Sequence, residues 1–431
     1  MGARLARPAA SSCDSAGLNP TDTPGAAPAP ALPLLVLCLA AFSSLASMRA
    51  CDALLPMLAD EFATTPGTAA QTVAAFAFAY GTVQFLVGPL GDRMGRLRVM
   101  AAACVIGAVG NVAVLLATTL EAMTAARVLA GAASGGIVPM SLALIGDAVA
   151  FERRQQTLAR LMLATHMGMI AGLWLGGMLA EALGWRAVFA ALALGFTAVS
   201  VPLLRQALRT PASTRAPLPG APGGLPGAFA GFAEVLRVRW ARWIVVLVGL
   251  EGALVFATLA FVPTFLHDSF GLTLGQAGAV MALYAAAGLV YAPLAGRFAQ
   301  RLGERGQALG GACAIGAAAA LLAASRSWPW AVPACLLAGL GFFMLHSTLQ
   351  LHATQMAPER RATAISLFVI SLFGGQALGV ALAAWIVDHG SVRAVFVLTA
   401  VTVPLIGLAF RHGLARHAHG ALSPGRAPSS P

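Results

Sequence analysis

Residues 69–87 and 99–118 form two apolar runs without a single charged side chain, and only eleven residues join them. That joint, Gly88–Arg98, reads GPLGDRMGRLR and packs one Asp, three Arg and three Gly into a short cationic turn. A helix crosses the hydrocarbon core of a bilayer with about 20 apolar residues. Two uncharged runs of that length, hinged on a cationic loop, therefore read as consecutive membrane spans. The rest of the chain agrees: 58% of the 431 residues are hydrophobic and 10% are charged, with a mean hydropathy of +0.80. Soluble domains carry roughly 25% charged residues, so an ordinary soluble enzyme is excluded. At about 22 residues per span plus short loops the chain has room for roughly twelve spans. Their expected positions are 33–57, 69–89, 99–118, 122–147, 158–181 and 187–204, then 242–266, 275–297, 307–324, 329–353, 362–388 and 393–411.

The net charge of +11 suggests nucleic acid only until its placement is considered. All 27 basic residues are Arg, and 22 of them fall at the termini and at one alternating set of loops. Arg186, Arg326 and Arg393 fall on the other side, and Arg49 and Arg127 lie inside apolar runs. The positive-inside rule then puts both termini in the cytoplasm. Of the six cysteines, Cys13, Cys38, Cys51, Cys104, Cys313 and Cys335, five sit in apolar runs and none has metal-ligand spacing; they read as small buried hydrophobes. Residues 1–32, rich in Ala, Pro and Ser, read as a disordered cytoplasmic tail, and the apolar run that follows is too long for a cleaved signal. A Pro/Gly-rich central loop, 205–241, divides six spans (33–204) from six (242–411), and 412–431 forms a cytoplasmic tail.

The two halves repeat. FERR at 151–154 returns as PERR at 358–361, Gly168 and Gly172 return as Gly375 and Gly379, and RAVF at 186–189 returns at 393–396, all 207 residues on. Pro56 matches Pro263, and GPLGDR at 88 answers APLAGR at 292. Such a parallel repeat of six spans places a substrate site at the interface of the halves near the midplane.

The joint also resembles the cytoplasmic signature loop between the second and third spans of the major facilitator superfamily, Gly-x-x-x-Asp-Arg-x-Gly-Arg-x-Arg, matched at Gly88, Asp92, Arg93, Gly95, Arg96 and Arg98. The resemblance extends over about residues 33–411. It implies an all-α membrane fold of twelve transmembrane helices in two pseudo-symmetric six-helix halves. It further implies that Asp92 meets the start of the eleventh span to shut the cytoplasmic side, and that Arg96 pairs with Asp147. The second copy has Gly296 in place of Asp92, so the lock reads as one-sided. Arg127 with Gly131 downstream is similar to the family's fourth-span pattern Arg-x-x-Gln-Gly, with Ala130 in the Gln position. Helix-packing glycines Gly168, Gly172, Gly176 and Gly177 resemble the fifth-span signature of antiporters, with Leu173 where that signature has Pro. RACDALLP, carrying Arg49 and Asp52, is similar to the first span of drug–proton antiporters.

Buried ionisable groups in a membrane are costly and point to function or to internal pairing. Arg127 suits proton coupling or substrate binding; the alternative is a structural ion pair or hydrogen bonds to carbonyls. Glu251, deep in the seventh span, suits a proton carrier or a cation site; the alternative is a hydrogen-bonded acid inside the bundle. Arg49 and Asp52, three apart, lie on one helix face as a self-neutralising pair or as part of a cavity. His166, His346, Gln350 and Gln376 are polar points on apolar spans, and Tyr80, Phe76 and Trp174 are candidate cavity aromatics. No phosphate-binding loop is present. The reading is a non-enzymatic secondary transporter of the twelve-helix drug–proton antiporter type. It works as a monomer in the bacterial inner membrane, with lipid, a small-molecule substrate and protons as partners and with no metal, cofactor or nucleic acid. Proton-coupled export of a small apolar or cationic compound is favoured, with an uptake symporter or a non-transporting sensor as alternatives. Asp92→Asn is expected to shift the protein toward the inward-open state, seen as faster labelling of cysteines placed on the cytoplasmic side; unchanged labelling would count against the lock.

Overall fold

The structure is a computed structural model and describes residues 34–209 and 224–422. The expected tail at 1–32 with Cys13, the stretch 210–223 and the residues from 423 onward lie outside it. The described residues form helices and turns only. In chain order these are α1 (Leu34–Arg49), α2 (Leu55–Glu61), α3 (Pro66–Ala69), α4 (Gln71–Met94), α5 (Arg96–Leu115), α6 (Leu120–Ala148), α7 (Phe151–Leu183) and α8 (Trp185–Arg209). They continue as α9 (Gly224–Arg237), α10 (Arg239–Phe270), α11 (Leu274–Ala324), α12 (Ala331–Gln355), α13 (Arg361–His389) and α14 (Val392–Leu422).

Ten of these stretches are long and apolar enough to cross a membrane. A straight 51-residue helix such as α11 would run about 75 Å, more than twice a hydrocarbon core of about 30 Å. It is in fact two helices broken at Gly303, whose φ of 63° only glycine adopts without strain. Gly95, at φ 88°, makes the equivalent break between α4 and α5. With α11 counted as two crossings and α1 as the shorter first span, the architecture fits twelve. The first span is not continuous, as 33–57 anticipated. It ends at Arg49, turns through Cys51 and Asp52, and restarts at Leu55, where Pro56 lacks the N–H that an uninterrupted helix would use.

The region read as a central loop also differs. α8 runs to Arg209, and α9 is a helix placed between α4 and α13: Phe232 packs edge-on against Phe85 at 4.8 Å, and Glu234 is ion-paired with Arg360. α14 likewise continues into the expected tail, to Leu422.

The sequence repeat is a repeat of contacts. Gly168 and Gly172 of α7 lie against the backbone of Phe42 and Ala46 in α1; Gly375 and Gly379 of α13 lie against Gly249 and Ala253 in α10. Each partner is displaced by the same 207 residues as the glycines themselves. Arg186 donates to the Ala117 carbonyl (3.3 Å), and its counterpart Arg393 donates to the carbonyls of Ala323 (3.2 Å) and Ser325 (3.0 Å). Arg154 holds the carbonyls of Gly146 and Val149, and Arg361 holds that of Thr354. The repeated arginines thus close C-terminal carbonyls of earlier helices in both halves. The small-residue face read from Gly168, Gly172 and Gly176 needs correction. Only the first two face α1; a Cβ on Gly176 would meet nothing nearer than the Val188 side chain, at 3.7 Å, whereas Gly177 lies against Leu274 of α11.

The halves meet along two seams, α7 against α11 and α4 against α13. Both seams are tight toward the end of the bundle away from the Gly88–Arg98 turn, where Leu173, Gly177 and Met178 touch Gly278, Leu274 and Gly275, and Ala384 and Asp388 touch Gly67. Toward the arginine-rich end most residues of 151–160 and 294–305 are exposed. Gly172→Ala is expected to destabilise the fold by about 1–3 kcal/mol through overpacking against the α1 backbone, lowering the melting temperature by several degrees. Gly176→Ala, with ordinary contact distances, should leave it unchanged; a thermal melt of the two variants decides.

Candidate functional site

Four charged side chains, all essentially fully buried, lie inside the bundle: Arg49, Asp52, Arg127 and Glu251. Each is held by helix geometry that the sequence sets locally. The turn after α1 brings the Asp52 carboxylate back to the Arg49 guanidinium at 2.9 Å. Arg49 is thus the last residue of α1 and Asp52 belongs to the turn, so they pair across a helix end and not along one helix face. The Arg49 guanidinium also lies 4.8 Å over the ring of Phe256 in α10, which ties the first span to the seventh.

Arg127 of α6 donates to the carbonyls of Ser47 (2.8 Å, α1) and Thr72 (3.3 Å, α4), and lies 4.1 Å over the Phe76 ring. Its charge acts on Asp52 and Cys51. Carbonyl dipoles and an aromatic face together replace part of the water that a buried guanidinium loses. One of its nitrogens, Nη2, has no hydrogen-bond partner. Around it, Ser44 donates to the Ser134 carbonyl (3.0 Å), Ser47 meets Asn111 (3.3 Å) and Gln84 donates to the Gly135 carbonyl (2.8 Å). Gly131 and Gly135 let α6 lie against the α4 backbone at Phe76 and Tyr80.

In the other half, Glu251 of α10 pairs through Oε2 with His346 Nδ1 of α12 at 3.0 Å, while Oε1 has no partner. Glu251 is sealed, whereas the His346 side chain keeps 17% of its surface exposed. The imidazole lies parallel to Phe342 (4.9 Å) and near Phe368 (5.3 Å). Tyr284 of α11 is buried against Phe342 (5.7 Å) and Phe343 (6.2 Å) of α12. Tyr80 of α4 packs on Phe373 of α13 at 4.4 Å on the second seam.

The other candidates separate. His166 donates from Nδ1 to the Met162 carbonyl (2.8 Å) and faces Phe343, and Gln376 is buried with Oε1 unpartnered, so both stay inside the bundle. Gln350 of α12 and Trp174 of α7 are exposed, Trp174 at 45%. At the arginine-rich end, Arg96 pairs with Asp147 at 2.5 Å and also donates to the Ala143 carbonyl (3.1 Å). Gly88, Asp92 and Arg93 are exposed there, and Arg98 is half-buried. In the second half the corresponding position, one residue after Gly303, carries Glu304, which meets His352 at 3.1 Å. A polar contact thus follows the turn glycine in both halves, although His352 is not the repeat counterpart of Asp147, which falls opposite Thr354. Sequence reasoning missed this pair as well as Tyr284. Aligning the repeat on its turn glycines, Gly95 with Gly303, would have pointed to Glu304 but not to His352, since Asp147 then falls opposite Gln355; Tyr284 had no signal beyond being one of three tyrosines.

No group of three or more potential ligands for a metal ion occurs among the described residues. What the arrangement can do is hold two positive and two negative charges out of water, with one member, Glu251, reachable through a partly exposed imidazole.

Comparisons with known proteins bear directly on this architecture. The sequence profile of the Major Facilitator Superfamily matches residues 37–374. A probable transporter of Streptomyces coelicolor is 29% identical over 84% of this chain and 86% of its own length. An MFS-type efflux pump of Mycolicibacterium smegmatis is 29% identical over 53% of each chain. A chloramphenicol resistance protein of Pseudomonas aeruginosa is 30% identical over 38% of this chain and 40% of its own. Among solved structures, the nucleoside transporter NupG (D323A mutant) superposes with a TM-score of 0.71 at 18% identity, covering 88% of this chain and 99% of that one. A peptide transporter in complex with sulfate gives 0.71 at 14% identity, covering 89% and 94%. With its all-helical repeat of six, its glycine-seamed halves and a profile match over most of its length, the chain belongs to the major facilitator superfamily and is a multi-pass membrane transporter, not an enzyme.

Proposed function

We propose that this transporter is a proton-driven exporter of a small apolar or cationic compound, working by alternating access in the bacterial inner membrane with the arginine-rich face in the cytoplasm. The observation that carries the reading is the sealed carboxylate of Glu251 with its single imidazole partner. Ionised, Glu251 and Asp52 balance Arg49 and Arg127, and the buried set is neutral. Protonated, Glu251 leaves one positive charge uncompensated in a low-dielectric interior. A proton and a cationic substrate each add one positive charge at the same Glu251 carboxylate, and the interior cannot hold both, so they exclude one another, which is the elementary requirement for exchange. His346, in contact with Glu251 on one side and partly exposed on the other, is the natural proton path. Efflux and drug-resistance proteins among the relatives support export as the direction.

With the arginine-rich face cytoplasmic, the seams closed at the opposite end describe an inward-facing state. The exposure of Asp92 fits that state, since a latch that shuts the cytoplasmic side is open in it. Arg127, pinned to two carbonyls and a ring, acts as the fixed positive charge against which Asp52 and Glu251 are poised.

In proteoliposomes, substrate leaving one compartment should draw protons into that same compartment, so that proton and substrate cross in opposite directions; co-directional movement of proton and substrate would establish uptake instead. Glu251→Gln is expected to lower gradient-driven transport at least about tenfold while sparing counterflow exchange of labelled substrate. His346→Ala should slow gradient-driven transport with a smaller effect on substrate affinity. Full pH-driven transport by Glu251→Gln would remove the carrier role.

A further inference from the structure

The end of the bundle opposite the Gly88–Arg98 turn carries a second, unanticipated set of contacts between the halves. At the last turn of α13, Asp388 accepts hydrogen bonds from the Thr65 hydroxyl (2.7 Å), the Gly67 N–H (3.1 Å) and, more loosely, the Thr68 hydroxyl (3.4 Å). These residues open the apolar stretch Pro66–Met94 of the other half. At the last turn of α7, Glu181 accepts from the Gly275 N–H (3.4 Å), in the first turn of α11. Glu181 and Asp388 are 207 residues apart, and Gly67 and Gly275 are 208 apart. The helix-opening threonines correspond as well: Thr65 accepts from the Thr68 N–H (3.0 Å) and Thr273 from the Gln276 N–H (3.2 Å).

The local chemistry explains the residue types. The first N–H groups of a helix have no partner within it, and the aligned peptide dipoles favour a negative charge there. In each half the threonine satisfies one such N–H and the carboxylate of the opposite half satisfies the one before it. The residue donating to the carboxylate is glycine both times because a side chain would occupy the carboxylate's place: a Cβ on Gly67 would collide with Asp388, and one on Gly275 would lie 3.2 Å from Glu181 Oε2 and 2.8 Å from Met178 Cγ. Every bond to the two carboxylates joins one six-helix half to the other, whereas the threonine caps lie within a half.

We propose that Asp388 and Glu181 are a symmetry-related pair of gate residues that hold this face shut, each by the opposing half's helix start, and that both bonds must release for substrate to pass on that side. They act on the equilibrium between the two open states and do not touch substrate. The proposal rests on the alternating-access reading but not on the proton coupling or on the direction of transport.

The experiment uses the full chain in nanodiscs, with Cys13, Cys38 and Cys313 replaced by Ser, and measures spin-label distances at both faces. One label pair, at Leu183 and Ser269, reports the face with the gate; the other, at Arg153 and Arg301, reports the arginine-rich face. In the double variant Asp388→Asn/Glu181→Gln, the long-distance population of the first pair should grow about tenfold relative to the parent. The second pair should gain a short-distance population in the same sample. Gly67→Ala, which displaces the Asp388 carboxylate and presses on the Ala384 carbonyl while keeping every charge, should move both pairs in the same senses; Thr65→Val, which removes one donor to Asp388 without that clash, should move them less, and together they keep the test open if the double variant is poorly folded. Unchanged distances at the gate face, or a widening of both faces together as in general loosening, would overturn the proposal. A parent that alternates with pH or substrate while all three variants match it overturns the gate alone; a protein whose faces never move in opposite senses in any form overturns alternating access as well.

Discussion

Charge balance in a medium without water is the constraint on which the rest of this structure depends. Removing an ion from water costs several kcal/mol even after the protein relaxes, and a buried charge without a partner is seldom tolerated. Arg49, Asp52, Arg127 and Glu251 are all removed from water here. They are accommodated by one ion pair, two carbonyls, two aromatic faces and one imidazole. Those partners come from α1, α4, α10 and α12, so the charged set dictates how closely the first, second, fourth, seventh and tenth spans must approach. The glycines answer that demand. Gly131 and Gly135 bring α6 onto α4, and Gly168 and Gly172 bring α7 onto α1.

The halves share a scaffold and differ in what they place on it. Backbone contacts obey the repeat closely, down to the arginines that close the carbonyl ends of helices. Ionisable groups do not. Arg127 is answered by Ala334 and Glu251 by Ser44, and Arg96, one residue after its turn glycine, is answered by Glu304. Packing glycines are interchangeable between halves because they serve the same close approach. Charges are not, because an interior can hold only as many as it can neutralise. A duplicated fold can therefore stay symmetric in packing and become asymmetric in its electrostatics.

Much of this was legible along the chain. Charge-free runs of membrane length located the spans, the arginine distribution suggested a sidedness, and repeated marks at one offset announced two halves. The cationic turn named the superfamily before any contact was known. Where the reading missed, the reason was local. Pro56 was recorded as a repeat mark and not as the start of a new helix, so the break after Arg49 went unseen. Gly176 was grouped with Gly168 and Gly172 on spacing alone, although a long helix packed on two neighbours divides its glycines between them. The segment holding α9 looked like loop because its prolines and glycines outweighed a short apolar stretch that pairs with Phe85 and Arg360. Glu181 and Asp388 sit at span ends, where a carboxylate attracts no notice until its partner is seen.

The sequence by itself determined that this is a polytopic helical transporter of two repeated halves, because hydropathy, charge placement and repetition are properties of the chain read in order. Only the tertiary structure decided which buried charges face one another and which end of the bundle is closed. His346 stands 95 residues from Glu251 and Asp388 stands 321 from Gly67. Nothing in the local pattern of an apolar helix specifies such partners. They are chosen by how the helices pack, and by the need that no charge among them be left unanswered away from water.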